Sequence, residues 1–145
     1  SLLSFYRNYI FYQIPYNPLV GLTPDTPMSC YFTEYHPDDE VTGSSHNLEN
    51  NTLIFKYFRD LNLIPLKKEA NIDEIFKHTN DIHLSYTLKF DSSPNYVYMY
   101  ISEIYLDDLT ILSIRSNIPK FRNGYYKIID SKFDYEYMND LITNS

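Results

Sequence analysis

The feature that most constrains this chain is a strict alternation over residues 82–90. Ile82, Leu84, Tyr86, Leu88 and Phe90 are apolar, and His83, Ser85, Thr87 and Lys89 between them are polar. A period of two places successive side chains on opposite sides of an extended strand. One side is therefore built for a core and the other for water. Such strands belong to antiparallel sheets with a single covered face, since doubly covered parallel sheets read as continuous apolar runs.

The following segments extend the pattern. Val97, Met99 and Ile101 alternate with Tyr96, Tyr98 and Tyr100, and residues 109–115 and 125–129 read as further strands. Residues 91–94, the pair Asp107-Asp108 and the pair Asn123-Gly124 read as turns, the last as a two-residue hairpin. Short links between successive strands make neighbours antiparallel. The expected fold is α+β, with an antiparallel meander of four to five strands in the C-terminal half and two or three helices packed on one face.

The helices are read from a different period. Leu48, Leu53, Ile54, Tyr57, Phe58 and Leu61 recur at three- and four-residue spacing, with Asn47 or Ser45 as a cap and Pro65 closing the run. Residues 67–78 suggest a second helix, with Asn71 and Glu74 placed as a capping box, and residues 131–142 a last one. Ahead of them, Pro15, Pro18, Pro24 and Pro27 deny regular structure to an aromatic N-terminal stretch. Residues 30–35 read as a short strand and 36–45 as a polar turn. The chain of 145 residues reads as one domain: 1–44 irregular, 45–80 helical, 81–130 sheet and 131–145 a C-terminal helix.

Several chemistries are excluded or weakened by composition. The glycines Gly21, Gly43 and Gly124 are too far apart to write a phosphate-binding loop or a dinucleotide fingerprint. The single cysteine, Cys30, permits neither an intrachain disulfide nor a cysteine zinc site, and it fits a reducing, cytoplasmic compartment. No run of about 18 apolar residues suggests a membrane span. The formal charge of −7 is spread over both halves and argues against non-specific nucleic-acid binding. No cofactor is implied.

Four groups of residues could carry function. Glu34, His36 and Asp38, with Asp39 and Glu40, form a dense polar loop that could hold a divalent cation in a hydrolase, although its spacing matches no metal motif and a solvated acidic turn is the plainer reading. His78 and His83 read as surface histidines, and pairing of Cys30 with His36 has only nearness in sequence behind it. Arg115, Lys120, Arg122, Lys127 and Lys132 are interleaved with Phe121, Tyr125 and Tyr126 around the Asn-Gly pair, a local basic-aromatic patch.

The last group is Tyr96, Tyr98 and Tyr100, which share the non-core side of one strand. Tyrosine is enriched where interfaces concentrate their energy, so this row is the candidate contact surface. The bland alternative is that the N-terminal aromatics cover it. Asp107, Asp108, Asp38, Asp39 and Glu40 are the matching candidates for charges that steer a basic partner. The chain therefore reads as a protein-binding or inhibitory module in the manner of a toxin-immunity protein, rather than as an enzyme. The alternatives are a structural or assembly protein of a virus or phage, and a metal-dependent hydrolase using the His36 loop.

Overall fold

The computed structural model describes residues 1–5, 9–36, 38–67, 82–91, 95–106 and 109–143. The chain opens with a single helical turn, α1 (Leu2–Phe5), and a 3-10 turn at Phe11–Gln13. A hairpin follows, β1 (Ser29–His36) and β2 (Asp39–Ser45), then helix α2 (Leu48–Asp60) and strand β3 (Leu63–Leu66). The C-terminal half supplies β4 (Ile82–Phe90), β5 (Val97–Leu106), β6 (Leu109–Ser116), β7 (Gly124–Ile128) and helix α3 (Tyr135–Thr143).

All seven strands join one antiparallel sheet in the order β2-β1-β4-β5-β6-β7-β3. The α+β class is as the sequence implies, and β4 to β7 form the expected meander. The sheet is wider than expected because both its edges come from the N-terminal half. Residues 39–45 are a strand and not a turn: they pair along β1 from His36↔Asp39 to Cys30↔Ser45. Their polar character reflects an edge strand, where five of the seven side chains face solvent. Pro65 does not close the helix. It lies in β3, on the opposite edge, where a missing backbone donor is tolerated.

The Asn-Gly pair also behaves differently from the two-residue turn expected of it. The link from β6 to β7 spans residues 117–123, contains Lys120 at φ 63°, and leaves Gly124 inside the strand opposite Ile114. Asn123 acts through its side chain, whose Oδ1 accepts from the Ser116 amide at 2.8 Å. The expected helix over 67–78 and the turn residues 92–94 and 107–108 lie mostly or wholly outside the described residues.

The alternation in β4 performs as predicted. Leu84, Tyr86, Leu88 and Phe90 are buried, and Met99 and Ile101 of β5 with Leu112 and Ile114 of β6 continue the same face. Helix α2 lays Ile54, Phe55 and Phe58 on it, and α3 adds Met138 and Ile142. Gly43 matters at this contact, because a Cβ there would stand 3.1 Å from Ile142 Cγ2. Helix α2 starts where Asn47 Oδ1 accepts from the Asn50 amide at 3.0 Å, a conventional side-chain cap. No helix among the described residues is long and apolar enough to cross a membrane.

The far end of α2 is closed from a distance. Asn17, in the proline-rich segment, donates through Nδ2 toward the carbonyls of Phe58, Arg59 and Leu61 at 2.8 to 3.0 Å. Its Oδ1 accepts from the Leu19 amide at 2.9 Å, and Leu19 is wholly buried. One amide thus reaches two of the carbonyls that the helix leaves open and that of its cap residue Leu61, and anchors the N-terminal cover. Asn17→Ala is expected to lower stability by about 1–3 kcal/mol. Asn17→Asp should cost more, because it sets a negative acceptor against carbonyls at the negative end of the helix dipole. Urea unfolding of both variants checks the order, and an aspartate variant as stable as wild type would contradict it.

Candidate functional site

The two faces of the sheet differ sharply. One is covered by α2, α3 and the N-terminal segment. On the other, the described strand side chains are half-buried or exposed, apart from Ser29 and Ile111. The tyrosines lie on this open face, as the register requires: Tyr100 stands between Thr87 of β4 and Arg115 of β6, and Tyr98 stands beside Lys89. Tyr96 and Tyr100 are 48% and 47% exposed, so the N-terminal aromatics do not cover them.

Their geometry is organised. The Tyr98 and Tyr100 rings stack with centroids 6.1 Å apart and planes at 12°. Lys89 Nζ lies 4.1 Å from the Tyr96 ring centroid and 5.9 Å from that of Tyr98. At an exposed site each such contact is worth about 0.5–1 kcal/mol, enough to orient the rings. The β6–β7 link fixes the backbone beneath. Asn117 Oδ1 accepts from the Tyr98 amide at 2.9 Å, its Nδ2 donates to the Tyr96 carbonyl at 3.1 Å, and Ser116 Oγ donates to the Tyr98 carbonyl at 2.9 Å. Tyr31 of β1, also exposed, extends the surface beside Thr87.

The acidic residues expected to act with the tyrosines are elsewhere. Asp38, Asp39 and Glu40 are exposed at the tip of the β1–β2 hairpin, where Asp39 Oδ1 accepts from the Glu40 amide at 2.8 Å. Ser44, not Glu40, is level with Tyr100 through Thr87 and Tyr31. Strand geometry then sets Glu40 about 13 Å along and about 14 Å across from Tyr100. Asp107 and Asp108 lie outside the described residues. What the fold does place against the tyrosines is positive charge, from Lys89 and Arg115.

The basic-aromatic patch seen in the sequence is split by the fold. Arg115 and Lys127 share the open face, whereas Arg122 packs its guanidinium 3.9 Å from the Phe11 ring centroid. Tyr126 is buried, and its hydroxyl donates to the Arg122 carbonyl at 2.6 Å. Lys89 and Tyr31 were missed as site residues. The signal for Lys89 was present, since it continues the polar side of the alternation. The signal for Tyr31 was not, because its partner strand is non-local.

The His36 loop forms one pair, with His36 Nε2 3.1 Å from Glu34 Oε1 and both side chains substantially exposed. Among the described residues, no three His, Cys, Asp or Glu groups converge in a way that could hold a metal ion. Asp38 therefore joins Glu34 and His36 in sequence but not in a coordinating cluster. Cys30 is buried, and six residues of extended strand separate it from His36 by about 20 Å.

Burial pushes the Cys30 thiol from its ordinary 9.0 up to about 12. The neutral thiol is the form that the fold favours. Its raised pKa therefore contributes stability that is lost as pH rises from 9.0 toward about 12. Alkylation of Cys30 at about pH 8 should proceed no faster than opening of the fold, and Cys30→Ala should flatten the alkaline loss of stability. A rapid labelling phase in native protein would contradict this. Comparison with protein-family models, with curated proteins and with solved structures finds no match for this chain.

Proposed function

We propose that the chain is a protein-binding module whose contact surface is the open sheet face around Tyr96, Tyr98 and Tyr100. The observation that carries this reading is the company those rings keep. Two exposed tyrosines and a stacked third stand with Lys89 and Arg115 on central strands, and the described part of the chain does not cover them. Tyrosine and arginine are the residue types in which interface energy concentrates. Neighbouring Thr33, Ser85, Thr87, Ser102 and Ser113 face the same way and offer hydroxyls to a polar rim.

The partner surface that fits is acidic at its centre, because cations flank the rings. The charge of −7 opposes such a partner at long range. Screening limits that repulsion to about 8 Å in physiological salt, so the contact charges decide. The hairpin tip with Asp38, Asp39 and Glu40 would meet the periphery of the partner, where basic residues would suit it. Inhibition follows if the covered surface is the partner's working site, as an immunity protein would require.

The test compares capture of a stoichiometric protein partner by wild type and by folded variants. Tyr100→Ala and Arg115→Glu are each expected to weaken binding by at least about 30-fold, corresponding to about 2 kcal/mol. Neutralising Asp38, Asp39 and Glu40 together should change it by less than about threefold. Equal retention by all variants would overturn the reading. Higher-order self-assembly that is lost in Tyr100→Ala would favour an assembly protein instead. Direct binding of a single-stranded oligonucleotide by the same face would replace the protein partner with a nucleic acid.

A further inference from the structure

A cavity of about 480 Å³ opens on the covered side of the sheet, opposite the tyrosine face. It lies where the first turns of α3 cross β1 and β4. Phe32, Leu84 and Tyr86 make its floor, Tyr135 a wall, and Glu34 and Glu136 its mouth. The volume falls within the ~300–1,000 Å³ range of small-molecule sites. Its composition has the form such sites take, an apolar body with a few polar groups at one end.

The geometry points to a binding site for a small organic ammonium ion with an aromatic or alkyl body. Two observations converge on that class. Half-buried Tyr135 supplies aromatic surface, backed by the core rings of Phe32 and Tyr86, and such surface attracts a cation through the ring quadrupole as well as burying an apolar body. The two side chains at the mouth that can carry charge, Glu34 and Glu136, are carboxyl groups, and no Lys or Arg is among the lining residues described. Beneath the cavity the wholly buried Glu103, level with Leu84 on β5, accepts from the Tyr135 hydroxyl at 2.9 Å. That bond fixes the wall. His36 Nε2, 3.1 Å from Glu34 Oε1, holds one mouth carboxyl in position from outside. An anionic ligand would meet acidic groups at the mouth, and a neutral one would make no use of their charge.

This site is independent of the sheet-face interface, since the two use opposite sides of the same strands. The experiment titrates four probes into the whole chain: 2-phenylethylammonium, butylammonium, 2-phenylethanol and 3-phenylpropionate. The readout is isothermal calorimetry, with NMR shift mapping to locate the site. Saturable binding of the ammonium probe is expected, with the largest shifts at Phe32, Tyr135 and Asn139, which also lines the cavity, and at least about tenfold weaker binding of the alcohol. The Glu34→Gln/Glu136→Gln double variant should reduce ammonium affinity at least about tenfold while urea unfolding shows the fold retained. Tyr100→Ala should leave it unchanged. The inference is overturned if neither 2-phenylethylammonium nor butylammonium saturates. It is equally overturned if the alcohol binds as well, if the double variant binds as wild type, or if the shifts map elsewhere.

Discussion

Burial of a single face governs this molecule. Seven strands at about 4.8 Å spacing make a sheet about 29 Å wide, and a helix with its side chains covers about 10 Å of that. Helices α2 and α3 therefore leave roughly a third of the apolar side for other segments. The chain meets that need with irregular structure. Phe11, Leu19 and Phe133 are buried beside the helices, and Tyr16 stacks on Tyr126 with ring centroids 6.4 Å apart. The proline-rich segment is thus part of the core layer, and Asn17 is the bond that ties it to α2. Fixed φ at its prolines lowers the entropy lost when it is laid down.

Polar groups inside this layer are placed where the backbone needs them. Asn51 of α2 is fully buried and donates to the Pro27 carbonyl at 2.9 Å, fastening the end of the same segment to the middle of the helix. Glu103 and Tyr135 join the sheet to the start of α3, and Asp134 caps that helix by accepting from the Tyr137 amide at 3.1 Å. Since the Asn51 and Glu103 bonds each join separate elements, the layer is pinned at points and filled by aromatic contact between them. Phe58, Tyr86 and Phe133 form that filling, with ring centroids 5.1 to 6.2 Å apart.

Legibility in the sequence followed the range of the interaction. The periods of β4 and α2 are local, and they revealed the class, the core face and the outward tyrosines. The edges were not legible, because β2 has the composition of a turn, and β3 is four residues long and pairs with β7 far along the chain. Pro65 and Gly43 look like breakers until their partners are known: Pro65 sits on an edge, and Gly43 makes room for Ile142. The same limit applied to the candidate site. Alternation placed Tyr98 and Tyr100 outward, but only register could show that Lys89 and Arg115, and not the acidic turns, stand beside them.

Both sheet edges resist pairing with another chain. β3 is four residues long and contains Pro65, which offers no donor, and β2 begins with Asp39 and Glu40 and is held from its apolar side by α3. Charge, proline, short length and cover are the means by which native sheets blunt their edges. Edge addition is the commonest route by which a sheet recruits a partner strand, and here it is obstructed at both ends. Any association would then have to use a face. The covered face is given over mainly to the core, so the tyrosine-lined face is where the fold leaves the broader area of strand side chains exposed.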